Sequence, residues 1–137
     1  KKKNLTIGIT AYNSHKYLMD AINSVIGQSS DQWLGVLVLD GGANKKTTNI
    51  YNNFEHPKFE KYALEKNQGP YGTRSKAIEL AKTEWYCQLD ADDILPPNTI
   101  KLLLDTINSN PKSEYIYGNS IHFNDHSYFV KKPFFLI

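Results

Sequence analysis

One cysteine in 137 residues, Cys87, rules out an intrachain disulfide and a cysteine-rich metal site. A lone thiol in an apolar run is expected to be a small buried hydrophobe, and the composition fits a reducing, cytosolic setting. No apolar run approaches the roughly 20 residues of a membrane-spanning helix. No signal-peptide core follows Lys1-Lys2-Lys3, which reads as a solvated terminus. Excess charge of one sign is also missing: 16 basic residues against 14 acidic leave +2, so no nucleic-acid partner is expected. No Gly-x-Gly-x-x-Gly follows the first apolar run, which argues against a dinucleotide-binding domain. Internal repeats and low-complexity linkers are absent too. What is there, 40% hydrophobic and 22% charged, suits one globular domain with enough chain to bury a core.

Against that plain background, Asp90-Ala91-Asp92-Asp93 stands out. It follows Trp85-Tyr86-Cys87-Gln88-Leu89, a mostly apolar run that reads as a buried strand, and precedes Ile94-Leu95-Pro96-Pro97. Pro97 cannot continue a central strand. Three carboxylates at a strand tip repel one another unless a cation sits between them. Oxygen ligands of this kind suit a hard ion such as Mg²⁺ or Mn²⁺, and Mg²⁺ is usually held by one or two carboxylates together with phosphate oxygens. A plain helix-capping role competes with this reading for any single Asp-x-Asp.

The order of elements supplies the context. Leu5–Thr10 reads as a first strand, and Ser14 can cap a helix carrying Leu18, Ala21, Ile22, Val25 and Ile26 at helical spacing. Trp33–Leu39 is nearly continuously apolar, as a parallel strand covered on both faces should be. A turn over Asp40–Asn44 leads into a helix from about Thr47 to Phe54, and Phe59–Leu64 makes a third strand. A loop, Asn67–Gly72, precedes a helix from about Thr73 to Lys82 with Ala77, Ile78, Leu80 and Ala81 on its apolar side. After the aspartate strand, Asn98 can cap a helix carrying Ile100, Leu103, Leu104 and Ile107. Tyr115–Tyr117 and Ile121–Phe123 then read as short strands around Gly118-Asn119.

This alternation predicts an α/β fold, a mostly parallel sheet flanked by helices on both faces. Such sheets bind ligands beyond the carboxyl ends of their strands. Those ends carry Thr10–Asn13, Asp40–Gly42, Asn67–Gly72 and Asp90–Asp93. Tyr12 offers a stacking ring, Asp40 an acceptor for base or ribose, Arg74 a phosphate donor, and the aspartates a metal. The set reads as a nucleoside-diphosphate pocket.

The same residues resemble the N-terminal half of a family 2 glycosyltransferase of GT-A (Rossmann-like) architecture, from about Leu5 to Phe123. Ile9-Thr10-Ala11-Tyr12-Asn13 is similar to the family's opening strand motif. Leu18, Ala21, Ile22, Ser24, Val25 and Gln28 fit its first helix, Val38–Ala43 its V-D-D-G-S segment, and Asn67–Pro70 with Arg74 its N-x-G loop and helix start. Leu89–Asp93 resembles its metal motif. The resemblance implies a nucleotide-sugar donor site in which Thr10 and Tyr12 line the base pocket and Asp40 bonds the base. It further implies that Arg74 lies near the nucleotide, Asp90 faces the ribose, and Asp92, with Asp93 close by, binds a divalent metal, Mn²⁺ or Mg²⁺. It implies a sugar transferred to a glycan or lipid-linked acceptor, with inversion, in polysaccharide assembly by a cytoplasmic enzyme at the inner face of the membrane.

Two departures stand out. Gly41 replaces the family's second aspartate and Lys45 a common acid, which predicts a looser pocket or a different base preference. Ser75 and Ala77 replace the usual Asn and Gly after Arg74. The catalytic base is expected beyond Ile137, because Asp125 and His126 come too early and read as turn residues. His15, His56 and His122 lack metal-ligand spacing and read as surface or packing residues, and Tyr51, Tyr62, Tyr115, Tyr117 and Tyr128 as core or edge-strand aromatics. Phe134–Ile137 leaves an apolar end that suggests truncation from a longer protein or a partner surface such as a homo-oligomer. Residues 1–137 are accordingly expected to be a single domain cut short at its C-terminus. A non-catalytic nucleotide-sugar-binding module is the alternative; a sugar nucleotidyltransferase is disfavoured, since Thr10–Ser14 is no Gly-rich basic loop.

Overall fold

The computed structural model describes residues 4–124 and 126–131. The expectations for Lys1–Lys3, Asp125 and Phe134–Ile137 concern positions outside the described residues. The chain divides into two compact units, Lys1–Leu102 and Leu103–Ile137.

In the first unit the strands are β1 (Leu5–Ala11), β2 (Trp33–Leu39), β3 (Phe59–Ala63) and β4 (Trp85–Asp90). The helices are α1 (Leu18–Ile26), α2 (Lys45–Asn53) and α3 (Gly69–Leu80), with α4 (Thr99–Ser109) beginning at its end. All strands pair in parallel in the order β3-β2-β1-β4. Strands advance to one side as far as β3, and β4 then returns to the other side of β1. The order therefore reverses between β1 and β4, where an open α/β sheet presents a crevice at its carboxyl edge. The register sets Thr10 of β1 opposite both Val38 of β2 and Asp90 of β4.

Period-two alternation sorts the side chains. Leu5, Ile7, Ile9 and Ala11 are buried on one face, and α1 contributes the buried Leu18, Ala21, Ile22 and Val25. On the other face Val36 and Val38 pack with Ala77 of α3, and Leu64, Leu80 and Tyr86 close around them. Both faces of β2 are covered, which is why its sequence is a continuous apolar run.

Several boundaries differ from the sequence reading, each for a local reason. Ser14 does not cap α1 through its side chain. Its carbonyl accepts from Tyr17 and Leu18, while its hydroxyl accepts from Tyr12 N–H at 3.2 Å. Asn44 caps α2 instead, accepting from Thr47 N–H at 2.9 Å, so the helix starts at Lys45. Helix α3 starts at Gly69 rather than Thr73 because Pro70 fits a first turn, where no N–H is needed. Ile78 is 55% exposed and does not belong to the inner side of α3.

The second unit holds a hairpin of β5 (Ser120–Phe123) and β6 (Tyr128–Lys131), antiparallel, with Ser120 opposite Lys131. Tyr115–Tyr117 forms no strand; the partner of 120–123 lies C-terminal to it, not N-terminal. Tyr115 and Tyr117 are exposed, with rings 6.2 Å apart, and Tyr62 and Tyr128 are exposed on strands, so none of these four is a core residue. His126 does sit in the turn, its N–H held by Asn124 Oδ1 at 2.8 Å. No helix among the described residues is long and apolar enough to cross a membrane.

Candidate active site at the carboxyl edge of the sheet

Beyond the ends of β1, β2 and β4 lies a cavity of about 690 Å³. Thr10, Tyr12, Asp40, Arg74, Asp90 and Asp92 all line it, together with Asn67, Gly69 and Pro70. Asp93 is not part of that lining, but its carboxylate clusters with those of Asp90 and Asp92, one oxygen of each within 4.8 Å of the others. His15 and Lys16 also line the cavity. The sequence reads His15 as a surface or packing residue and does not mark Lys16 at all, because no spacing rule picks out either; the turn after β1 brings both to the cavity.

The β1–α1 turn is fixed from the side. Asn13 Oδ1 accepts from Asn44 N–H at 2.8 Å, and Ser14 N–H donates to Thr47 Oγ1 at 2.9 Å. The start of α2 thus holds the segment carrying Tyr12 and Lys16. Tyr12 is 42% exposed at the cavity, where an aromatic side chain can offer a stacking surface.

Asp40 has a different environment from the one expected. It is 4% exposed. Its Oδ1 accepts from the N–H groups of Gly41 and Gln68, both at 2.8 Å, and its Oδ2 from that of Gly69 at 3.0 Å. A carboxylate has about four acceptor positions, and three are taken by the chain. Asp40 therefore first clamps the start of α3 to the end of β2, leaving at most one position for a base.

The neighbouring Gly41 is not a gap in the pocket. A Cβ there would lie 2.2 Å from the carbonyl carbon of Lys66 and 2.5 Å from Asn67 N. Backbone fills the space that an aspartate side chain would enter, so the expected looseness is not found. Asn67 Nδ2 donates to the Gly41 carbonyl at 3.1 Å and fastens the two loops together.

Arg74, on α3, reaches across to β4, where Nη2 contacts Asp90 Oδ1 at 2.9 Å. The hydrogen bond that Arg74 donates to Asp90, together with the Asp90 charge, raises the Arg74 pKa above its ordinary value, so the guanidinium stays charged. Arg74 Nε is buried and has no hydrogen-bond partner among the described residues. The charged guanidinium, on a residue that lines the cavity, is suited to an anion.

The aspartate loop is braced from behind by α1. Ser24 Oγ accepts from Leu95 N–H at 3.1 Å. Gln28 Nε2 donates to the Pro96 carbonyl at 2.7 Å, and its Oε1 accepts from Ile100 N–H at 3.0 Å. Those contacts give a role to Ser24, in the last turns of α1, and to Gln28, just beyond its end. They fix the exit of the loop whose tip carries Asp92 and Asp93.

The carboxylates of Asp90, Asp92 and Asp93 make an all-oxygen donor set, which fits Mg²⁺ or Mn²⁺ rather than a soft metal. Arg74 already neutralises part of it through Asp90.

Comparison with known proteins agrees with this geometry. The sequence profile of glycosyl transferase family 2 matches residues 6–134. The chain belongs to that family. Its relatives include the succinoglycan biosynthesis protein ExoO of Rhizobium meliloti (strain 1021), 29% identical over 77% of this chain and 30% of the relative. Another is the chondroitin synthase of Escherichia coli, 31% identical over 74% of this chain and 15% of the relative. Among solved structures, S. aureus TarS 1-349 in complex with UDP-GlcNAc superposes with a TM-score of 0.70 at 26% identity, covering 79% of this chain and 32% of that one. The mannosyltransferase PcManGT of Pyrobaculum calidifontis shares the fold, with a TM-score of 0.61 at 18% identity over 70% of this chain and 29% of that one. These structural neighbours are GT-A glycosyltransferases, and this chain shares their α/β fold with its four-stranded parallel sheet. The chain spans less than a third of the length of each of these four.

Proposed function

We propose that this family 2 chain binds a nucleoside-diphosphate sugar and serves a transferase that passes the sugar to a hydroxyl of a glycan or lipid-linked acceptor, with inversion. One observation carries the reading: Arg74 and Asp90, paired at 2.9 Å, meet the acidic cluster at the cavity above the β1–β4 reversal. The TarS structures with UDP and UDP-GlcNAc support the ligand class.

Each residue then has a role. Tyr12 stacks on the base, beside Thr10. Asp40 acts mainly as a positioning residue, keeping Asn67, Gln68 and Gly69 at the cavity wall, with its remaining acceptor position open to the base. Arg74 and Lys16 face the diphosphate, and Asp90 keeps its second oxygen for a ribose hydroxyl. Asp92 and Asp93 would hold Mn²⁺ or Mg²⁺, which when bound supplies Lewis-acid stabilisation of the departing diphosphate. The base that activates the acceptor hydroxyl is assigned to sequence beyond Ile137. Asp40 is committed to backbone N–H groups, Asp90 to Arg74, and Asp92 to the acidic cluster.

Calorimetric titration of UDP, GDP and dTDP, each with Mn²⁺ and again with EDTA, tests this directly. Binding of one nucleotide that weakens at least about tenfold in EDTA, a loss of roughly 1.4 kcal/mol, is expected. Asp92→Ala should bind in Mn²⁺ only as weakly as the parent binds in EDTA, with its thermal midpoint unchanged. Equal affinity of parent and variant in Mn²⁺ would remove Asp92 from the metal site.

A further inference from the structure

Behind the cavity, on the face of the sheet that α3 covers, a hydrogen-bonded chain of side chains ends on a cavity residue. Tyr86 lies against β1, close enough that a Cβ on Gly8 would meet its hydroxyl. The Tyr86 hydroxyl donates to Gln88 Oε1 at 2.5 Å. Gln88 Nε2 donates to Thr10 Oγ1 at 3.0 Å and lies 3.5 Å from the Leu89 carbonyl. Gln88 itself does not line the cavity; Thr10 does.

An amide can be turned end for end, and both orientations would satisfy Tyr86 and Thr10, since either hydroxyl can give or accept. The Leu89 carbonyl breaks that symmetry. It can only accept, so it must face the NH₂ end; the reversed amide would set two carbonyl oxygens against each other. With the amide fixed this way, Gln88 gives a proton to Thr10, and the Thr10 hydroxyl proton is turned away from Gln88. Burial raises the pKa of the Tyr86 phenol, which keeps it a donor at neutral pH.

We infer that Gln88 is a positioning residue that makes Thr10 a directed hydrogen-bond donor to an acceptor oxygen of the bound nucleotide. This rests on the nucleotide reading of the cavity. Gln88 touches no ligand. It acts by denying Thr10 the choice between donating and accepting, so a site that needs a donor there gives up no free energy to orient it.

The test is a set of nucleotide titrations on the full-length protein in EDTA, so that metal does not mask the effect. Gln88→Glu is nearly isosteric but can only accept, and turns the Thr10 proton inward. It should weaken binding of UDP or GDP, whichever the parent binds, by about three- to tenfold, the worth of one hydrogen bond. Gln88→Met leaves Thr10 free to rotate and should weaken binding less. In a Thr10→Val background Gln88→Glu should cost nothing further. An equal loss in that background would assign the effect to added charge and overturn the inference, as would parent-like binding by Gln88→Glu. A readout independent of ligand separates this inference from the nucleotide reading. The Gln88 side-chain amide protons should exchange slowly in the parent and faster in Thr10→Val. Slow exchange in a protein that binds no nucleotide would keep the fixed amide and sink the ligand reading, and with it the role of Thr10 as a ligand donor. Fast exchange in the parent would sink the fixed amide itself.

Discussion

Oδ1 of Asp40 accepts from two backbone N–H groups and Oδ2 from a third. Two of those groups belong to residues 28 and 29 positions further along the chain. In the sequence, Asp40 is legible only as an acid after an apolar strand, which points to ligand binding; its real partners come from a loop that folding brings back. Replacing it by Asn tests the clamp. Asn retains one acceptor oxygen, and whichever way the amide turns, an NH₂ group confronts at least one N–H. In a buried site an unmade bond of this kind costs about 1–3 kcal/mol. Asp40→Asn is therefore expected to lower the denaturant midpoint by that equivalent and to weaken nucleotide binding in Mn²⁺ and in EDTA alike. Unchanged stability would mean that the clamp contributes nothing. By contrast, Thr10, Tyr12, Arg74, Asp90 and Asp92 were legible as a converging set, because the carboxyl ends of parallel strands lie on one edge whatever the details of packing.

At the scale of elements, the β-α alternation is readable wherever burial imposes a period. It holds for β1 and β2, whose residues are almost all buried, and for α1, whose inner stripe is apolar. It fails where neither face is covered. Tyr115-Ile116-Tyr117 has high strand propensity and a Gly-Asn turn signal after it, yet forms no strand; propensity without a buried face does not choose a partner. The start of α3 is hidden in the sequence for a different reason: Gly69 and Pro70 look like loop residues, but a first turn tolerates both. That start is held by Asp40 and by the backbone of Lys66 and Asn67 pressing on Gly41. Gly41→Ala would put a methyl group 2.2 Å from the Lys66 carbonyl carbon. Backbone cannot swing aside as a side chain can, so the 66–69 segment must shift. A cost of about 1–3 kcal/mol is expected for such overpacking, together with weaker nucleotide binding as Asn67 and Gly69 leave their places. Thermal unfolding and calorimetry on the one variant would show both effects, and a parent-like Tm would mean that the loop gives way without cost.

For the molecule as a whole, the two units differ in what holds them. The first has a four-stranded parallel sheet whose central strands are covered, with Ile7, Ile9, Leu37 and Val38 fully shielded from solvent. The second presents a hairpin with four residues in each strand, every one of them exposed, including Ile121, Phe123, Phe129 and Val130. A two-stranded hairpin with no covered face is marginal in water. Local stability follows buried apolar contact, and amide exchange reads local stability. In a protein of residues 1–137, peptides spanning 5–11 and 33–39 should therefore exchange slowest, through opening events close to global unfolding. Peptides spanning 120–131 should exchange orders of magnitude faster. Site segments should fall between, with 67–69 slowed by the Asp40 clamp and released in Asp40→Asn. The hairpin's apolar side chains gain little from one another, so protection there has to come from a surface laid over them. If residues 120–131 exchange as slowly as β1, such a cover exists, and dilution until the protection disappears would show that a second copy of the chain provides it.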